Sequence, residues 1–283
     1  MSFLRWIHYI NNFNPSNFLP FTIEGQQVGW IKKQHLVHFQ EFPFVFQTNS
    51  EAIQLHPRLN TPDKRTTTLT PILEQWRDAK ILPRWYHEMY PVATGLYRPP
   101  LMLIERAAAP FFGIRAYGIH VNGIVVQKQN MQMWIARRAY EKMTYPGRLD
   151  QMVAGGQPSH LTAWETAIKE CEEEAAIPET LARKAKMVGA INYRMEVEDG
   201  VRQDVIFNYD LKLPASFTPI NADKEVAEFY LWPIEQVMET VEKTDEFKTN
   251  CNLVVIDFLI RHGWLQETHP DYLALLNGLH PPL

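Results

Sequence analysis

Four glutamates fall within five positions of the segment GGQPSHLTAWETAIKECEEEAAIP, residues 155–178: Glu170, Glu172, Glu173 and Glu174. Helical residues three and four positions apart share a face, so Glu170, Glu173 and Glu174 should lie side by side. Carboxylate oxygens suit Mg²⁺ and Mn²⁺, hard cations that often bridge to substrate phosphates. The spacing therefore indicates either a divalent cation site or an acidic face exposed to solvent.

Two glycines precede this acidic segment. Gly155 and Gly156 can turn the chain tightly, because glycine adopts backbone angles that other residues avoid. Such a turn would bring a backbone carbonyl near the same cation, which favours the cation site over a solvated face.

A helix over residues 163–175 must position the glutamates. Thr162 is a candidate N-cap, and Glu165, three residues later, completes a capping box. Apolar residues recur at helical spacing and form a stripe on a different face from the three glutamates. This buried stripe comprises Trp164, Ala167, Ile168, Cys171 and Ala175.

The surrounding sequence, residues 116–283, alternates strands with helices. A hairpin is predicted at Asp199–Gly200, a helix begins near Pro233, and a long apolar helix ends near Gly263. Strands flanked by helices on both sides predict an α/β/α sandwich with a mixed sheet.

Residues 1–115 form a separate block, predicted to be a smaller α+β accessory domain. The segment FLPFTIEGQQVGWI predicts a hairpin with a turn near Gly25, and DKRTTTLTPILEQWRDAKIL predicts a helix. The block carries no chemical motif. We expect it to shape a substrate pocket or a homodimer contact.

Composition excludes several classes of function. A net charge of −4 and a pI of about 6.2 give no support for nucleic-acid binding, which needs a basic surface. No apolar run approaches the length that spans a bilayer, and the N-terminus lacks the apolar core of a signal peptide. Both cysteines are expected to be reduced and buried. The sequence therefore predicts a cytoplasmic protein that contacts neither membranes nor nucleic acid.

The pattern Gly155, Lys169–Glu170, Glu173–Glu174 and Ile177 resembles the Nudix box. The family has glutamate where Leu161 stands. Further segments, from GQQVGWI and WYHEMYPV through YPGRLDQMVAGG to FKTNCNLVVIDFLIRHG, resemble one Nudix subgroup along nearly the whole chain. Its members carry an extra N-terminal domain, and some fungal members are fused to thiamine pyrophosphokinase.

The resemblance implies metal-dependent hydrolysis of a diphosphate bond. Glu170, Glu173 and Glu174 would hold Mg²⁺ or Mn²⁺ together with the carbonyl of Gly155. One of the three carboxylates, with Glu170 the first choice, would instead activate the attacking water. The subgroup implies thiamine diphosphate, or its oxo- and oxythiamine analogues, as the small-molecule substrate. The alternatives are a nucleoside diphosphate derivative as substrate and a non-catalytic ligand-binding module.

Three departures from the box concern the catalytic helix. Lys169 replaces the family's arginine and offers a point charge in place of a planar fork. Leu161 removes the usual carboxylate partner, and Ala176 replaces the last glycine. Glu165 lies one turn before Lys169, so we hypothesise that a Glu165–Lys169 pair partly replaces the missing ion pair.

Other residues near the box are weaker candidates for substrate contacts. The alternative is surface charge for the basic residues, a solvent-facing strand position for the two strand glutamates, and a role in holding the loop for Asp150. They are Arg137, Arg138, Lys142, Asp150, Gly156, Glu225 and Glu228.

Overall fold

Helices and strands both occur throughout the chain, of which the computed structural model describes residues 2–128, 130–222 and 224–283. The helices are α1 (Leu4–Ile10), α2 (Leu36–Gln40), α3 (Pro62–Asp78), α4 (Ala109–Phe112), α5 (Ala163–Ala175), α6 (Glu179–Ala182), α7 (Ile234–Lys243), α8 (Thr249–Arg261) and α9 (Tyr272–Gly278). The strands are β1 (Phe18–Ile23), β2 (Gln26–Lys32), β3 (Phe46–Thr48), β4 (Ile53–Leu55), β5 (Met89–Val92), β6 (Met102–Glu105), β7 (Arg115–Gln127), β8 (Asn130–Arg138), β9 (Leu149–Gln151), β10 (Val153–Gly156), β11 (Lys186–Val197), β12 (Gly200–Lys212) and β13 (Val226–Pro233).

The N-terminal domain is built on a four-stranded sheet in the order β2-β1-β4-β3. Its first hairpin turns at Glu24 and Gly25, which both have positive φ, and this confirms the predicted turn. Aromatic rings from α2, α3 and α4 fill the core, with Phe39, Trp76 and Phe111 almost completely buried. A separate two-stranded sheet, β5 with β6, follows α3.

A mixed seven-stranded sheet organises the second half of the chain. Its path is β11-β12-β7-β8-β13, while β10 pairs with β7 and β9 with β8. The pair β7 and β12 is parallel, and the other ladders of this sheet are antiparallel. The hairpin predicted at Asp199–Gly200 is present between β11 and β12.

Helices cover both faces of this sheet, which confirms the predicted α/β/α sandwich. Helices α5 and α6 pack on one face, and α1, α7, α8 and α9 pack on the other. No helix in the described ranges is both long and apolar enough to cross a membrane. Cys171 and Cys251 are buried and free of disulfide bonds.

Helix α1 packs on the second domain, although it precedes the N-terminal sheet in sequence. Phe3, Trp6, Ile7 and Ile10 join the core beside α8, and the indole N–H of Trp6 donates to the Val241 carbonyl at 2.8 Å. A domain boundary between residues 115 and 116, close to the start of β7, remains our proposal.

Candidate active site

Helix α5 starts with the capping box that the sequence predicts. The Thr162 hydroxyl accepts the Glu165 N–H at 3.2 Å, and the Glu165 carboxylate accepts the Thr162 N–H at 2.8 Å. These reciprocal bonds satisfy backbone donors that the first turn leaves unpaired. The capping box thereby fixes where α5 begins, and with it the direction in which each glutamate points from the helix.

The hypothesis of a Glu165–Lys169 pair is wrong. The carboxylate of Glu165 is occupied by Thr162, whereas the Lys169 ammonium contacts Glu173 and lies 3.3 Å from the Glu170 carboxylate. Lys169 therefore balances charge within the glutamate cluster itself.

The three candidate ligands have different environments. Glu174 is buried, and its carboxylate accepts the Ala154 N–H of β10 at 2.8 Å. The Glu170 side chain lies against Gly155, and Glu173 is exposed except for its contact with Lys169. Helix α5 thus presents two sheltered carboxylates and one outer carboxylate beside β10.

Gly155 and Gly156 do not form the tight turn that we predicted. They lie in β10, opposite Ile119 and Gly118 of β7, and neither has a positive φ. Because they have no side chains, they instead allow other side chains to pack closely against β10. A β-carbon on Gly155 would lie 2.5 Å from Cγ of Glu170 and 2.9 Å from its Oε1, so only glycine admits the glutamate at this position.

Gly118 also leaves space at this point of the sheet, a feature that the sequence analysis missed. A β-carbon on Gly118 would stand 3.0 Å from the Gly155 carbonyl oxygen. The absence of a side chain on Gly118 keeps that oxygen uncrowded. Glycines opposite each other on paired strands would have been the signal, but strand register is not visible in a single sequence.

Burial and mutual repulsion disfavour negative charge on the sheltered carboxylates. Burial raises the pKa of Glu174 well above its ordinary value, and Glu170, Asp150 and Glu225 add repulsion against the stabilising Ala154 N–H. Burial likewise raises the pKa of Glu170, with Lys169 opposing the shift. A cation beside these oxygens would lower the free-energy cost of negative charge on both carboxylates. Oxygen ligands are also the type that Mg²⁺ and Mn²⁺ prefer. The chemistry of the donor set therefore suits such an ion.

The closest grouping of ligand-type atoms in the described ranges lies elsewhere. Atoms of His120, Asp150 and Cys251 fall within 4.8 Å of one another. However, Arg138 and Lys248 already contact the Asp150 carboxylate at 3.0 and 3.3 Å. The group therefore forms a buried network whose single negative charge is already paired with two cations, and it has no unpaired negative charge to offer a metal.

The protonation states within this network support the structural interpretation. Burial raises the pKa of the Cys251 thiol well above its ordinary value, and this thiol donates to Asp150 at 2.9 Å. Burial lowers the pKa of His120 to about 4, so its imidazole is neutral near pH 7. A protonated thiol and a neutral imidazole tie β7, β9 and α8 together by hydrogen bonds.

A cleft of about 650 Å³ lies between the two domains, and we call it the interdomain cleft. Helix α5 contributes the acidic part of its lining, and the N-terminal domain contributes aromatic and basic side chains. Among its lining residues are Glu170, Glu173, Glu174, Tyr86, Tyr90 and Arg106.

Four of the weaker candidates from the sequence line this cleft: Gly156, Arg138, Lys142 and Glu225. Arg138 also donates to the Thr144 carbonyl at 3.0 Å, and Lys142 pairs with Glu225 at 2.5 Å. These contacts order the loop after β8 at the rim of the cleft.

The structure does not place Arg137, Glu228 or Asp150 in the lining of the cleft. The Tyr230 hydroxyl donates to Glu228 at 2.6 Å and accepts from Arg137 at 3.0 Å, all on the β8–β13 ladder. Asp150 is buried in the network described above. Arg137 and Arg138 are adjacent in a strand and therefore point to opposite faces, which explains why only Arg138 reaches the cleft.

Sequence reasoning missed the contribution of Tyr86, Tyr90 and Arg106. Tyr86, Glu88 and Tyr90 alternate in the segment WYHEMYPV, and all three line the cleft. Alternation is typical of residues on one face of an extended segment. That pattern could have identified the face, but not the surface that it meets.

Both halves of the chain match models of known protein families. A model described as NUDIX domain matches residues 117–251, and a model described as a domain of unknown function (DUF4743) matches residues 2–116. Nudix hydrolase 24, chloroplastic, of Arabidopsis thaliana is 42% identical over 264 residues, which cover 93% of this chain and 72% of the relative. Nudix hydrolase 20, chloroplastic, of the same plant is 41% identical over 271 residues, with the same two coverages.

Similarity to a solved structure is weaker. The crystal structure of a C. elegans Ap4A hydrolase binary complex matches 53% of this chain and 99% of its own, with 11% identity and a TM-score of 0.40. A likeness at this level carries no argument about substrate.

The predicted cytoplasmic location is wrong, because both plant relatives have chloroplastic in their names. The prediction rested on reduced cysteines and on the lack of a signal-peptide pattern. Reduced cysteines distinguish a reducing compartment from an oxidising one, but they do not distinguish one reducing compartment from another.

Proposed function

This chain belongs to the Nudix hydrolase family and is a pyrophosphohydrolase, and from that premise we propose that it cleaves thiamine diphosphate or its oxo- and oxythiamine analogues. The products would be the monophosphate and phosphate. The observation that carries the cleavage of a diphosphate is the pair of sheltered carboxylates, Glu170 and Glu174, that lines the interdomain cleft beside β10. The choice of organic group is argued from the aromatic lining of the same cleft.

We assign the cation site to Glu170, Glu173, Glu174 and the carbonyl of Gly155. A bound Mg²⁺ or Mn²⁺ supplies charge neutralisation to the diphosphate and acidifies the attacking water. The Ala154 N–H fixes the orientation of Glu174. Lys169 contacts Glu173 at the outer edge of the site. A bound cation would replace Lys169 as the positive partner of this carboxylate.

Glu170 can fill either of two roles at this site, and when it does not bind the cation it is our first choice for the residue that accepts a proton from the attacking water. Its pKa is raised by burial, which makes its carboxylate a stronger base than an exposed one. Its position against Gly155 keeps it next to the proposed cation ligands. A base in this position would act on water held between the helix and the phosphate.

The lining of the cleft supports an aromatic, cationic organic group. Tyr117 and Tyr145 offer aromatic surface on which rings and a cation can stack. Thiamine diphosphate combines two aromatic rings with a positively charged thiazolium, so its organic part suits such walls. A nucleoside diphosphate derivative lacks that fixed positive charge and remains the alternative substrate class.

A hydrolysis assay with Mg²⁺ tests the proposal. Released phosphate and monophosphate products are both separated by anion-exchange chromatography, because a sugar nucleotide cut at its diphosphate yields two monophosphates and no free phosphate. Thiamine diphosphate, oxythiamine diphosphate and a panel of nucleoside diphosphate derivatives would be assayed side by side. We expect hydrolysis of the thiamine compounds. Hydrolysis of nucleotides alone would move the substrate to the alternative class, and hydrolysis of no compound would contradict the hydrolase assignment.

The same assay tests the cation ligands through a matched pair of variants. Glu174→Gln keeps the shape of a buried side chain but removes its charge, and we expect turnover to fall at least about 100-fold. Glu172→Gln alters an exposed residue on the same helix and should leave turnover unchanged. Undiminished turnover in Glu174→Gln would refute the assignment of Glu174.

A further inference from the structure

The N-terminal domain supplies one wall of the interdomain cleft, and we propose that its Arg106 binds a phosphate group of the substrate there. This inference deepens the proposed function and rests on it for the identity of the substrate. Arg106 follows β6 directly, at the start of a short helical turn that ends at Ala108. The β5–β6 sheet thus carries a cation to the edge of the site.

Arg106 lies next to the strand that bears the proposed carbonyl ligand. Its Cζ atom is 3.6 Å from the position that a β-carbon on Gly156 would occupy. Gly156 directly follows Gly155 in β10. Glu170 and Arg106 both line the interdomain cleft, so a phosphate held by a cation at Glu170 would face the guanidinium group in the same cleft.

Contacts within the N-terminal domain hold the guanidinium in place. Its Nη1 donates to the Glu88 carboxylate at 2.7 Å. Its Cζ lies 4.8 Å from the ring centroid of Tyr86 and 5.6 Å from that of Tyr90. The bond to Glu88 uses one of five N–H donors, so donors remain for the planar, two-point recognition that arginine gives to phosphate.

The charges that line the cleft show what a cation from the N-terminal domain adds to the site. Helix α5 contributes three carboxylates, which would repel a diphosphate that carries several negative charges. One divalent cation cannot balance both the carboxylates and the diphosphate. Arg106 contributes positive charge from the N-terminal domain and adds to that of Lys169, Arg202 and Lys248, which line the cleft from the second domain.

A role for the N-terminal domain follows from this arrangement. The second domain contributes the carboxylates, but the segment from Tyr86 to β5 contributes the two tyrosines, and the turn after β6 contributes the arginine. We infer that the active site is complete only when both domains are present.

Direct binding of a non-hydrolysable diphosphate tests the proposal without requiring turnover. Imidodiphosphate would be titrated calorimetrically into the full chain in the presence of Mg²⁺. We expect Arg106→Gln to weaken binding by about 10- to 100-fold, the range expected for a hydrogen bond to a charged group. Arg106→Lys, which keeps the charge but loses the fork, should fall between Arg106→Gln and the wild type.

Two control variants separate phosphate binding from structural support. Arg77→Gln removes a half-buried arginine of the same domain that is paired with Asp78 and lies outside the lining of the cleft, and this variant should bind the probe like the wild type. Glu88→Gln loosens the hold on Arg106 but keeps its positive charge, so binding should weaken clearly less than in Arg106→Gln. If Arg106→Gln binds like the wild type, or if Glu88→Gln weakens binding equally, the proposal is overturned.

The experiment also separates this inference from the proposed hydrolysis. Mn²⁺ affinity, measured by electron paramagnetic resonance, should be the same in Arg106→Gln as in the wild type. If imidodiphosphate binding depends on Arg106 while no diphosphate compound is hydrolysed, then the hydrolase proposal fails and the assignment of Arg106 stands.

Discussion

The hydroxyl of Tyr90, in the N-terminal domain, occupies the space that a β-carbon on Gly156 of the central sheet would need. Tyr90 is buried, and Gly156 lies in β10 next to the proposed carbonyl ligand. The two domains are therefore in direct contact at the active site, and a glycine in the second domain makes that contact possible.

Replacement of Gly156 by alanine should disturb this contact. We expect Gly156→Ala to lower the free energy of unfolding by about 1–3 kcal/mol, because its methyl group would overlap the Tyr90 hydroxyl. Tyr90→Phe removes that oxygen and leaves the ring carbon 3.3 Å away, so the double variant should recover much of the loss. Urea unfolding of the four proteins gives the coupling energy.

Gly95→Ala is the matched control for this cycle, since its nearest neighbour, Cγ of Arg98, would lie at an ordinary 3.5 Å. Additive effects of Gly156→Ala and Tyr90→Phe would mean that the two residues do not compete for the same space.

Loss of the helix cap should reduce stability without reducing catalysis. Thr162→Ala removes the hydroxyl that accepts the Glu165 N–H, and we expect a loss of about 1 kcal/mol in the free energy of unfolding. The value of kcat/KM should stay within twofold. Thr67→Ala, at an exposed position inside α3, should change stability by less than about 0.5 kcal/mol. A large fall in kcat with unchanged stability would contradict the purely structural role.

Removal of the Lys169 charge should strengthen cation binding. The Lys169 ammonium contacts Glu170 and Glu173, so it competes with a divalent cation for their oxygens. We expect Lys169→Met to tighten Mn²⁺ binding by up to about fivefold, the scale of an exposed ion pair. Electron paramagnetic resonance measures this affinity directly, and Lys184→Met provides an exposed control. Weaker Mn²⁺ binding in Lys169→Met would show that Lys169 positions the ligands and does not compete with the cation.

Stability should fall in mild acid because of His120. Burial lowers its pKa to about 4, with Lys248 and Arg138 adding to the shift and Asp150 opposing it. The folded-state pKa of His120 lies below the unfolded value of 6.5, so the contribution of neutral His120 to the free energy of unfolding is fully present above pH 6.5. It is lost as pH falls through about 4, and it amounts to at most about 3 kcal/mol.

Urea unfolding between pH 7.5 and 4.5 measures this dependence. The His120→Gln variant should lose less stability over the range than the wild type, whereas His160→Gln, at an exposed position, should match the wild type. Equal slopes for the wild type and His120→Gln would show that His120 does not contribute.

Local signals in the sequence were sufficient for the elements that carry the acidic residues. The capping box of Thr162 and Glu165 fixed the start of α5, and the turns near Gly25 and Asp199 fixed two hairpins. These features depend on residues within a few positions of one another, so a single sequence contains all the information that they require.

Contacts between distant segments decided the rest. The sequence predicted a turn at Gly155–Gly156, but pairing with β7 makes this segment a strand, and the close approach of Glu170 and Tyr90 accounts for the glycines. The sequence by itself determined which residues carry the negative charge and which helix presents them. Only the tertiary structure decided that an arginine and two tyrosines from another domain face them, because such an approach depends on how two separately formed cores pack together.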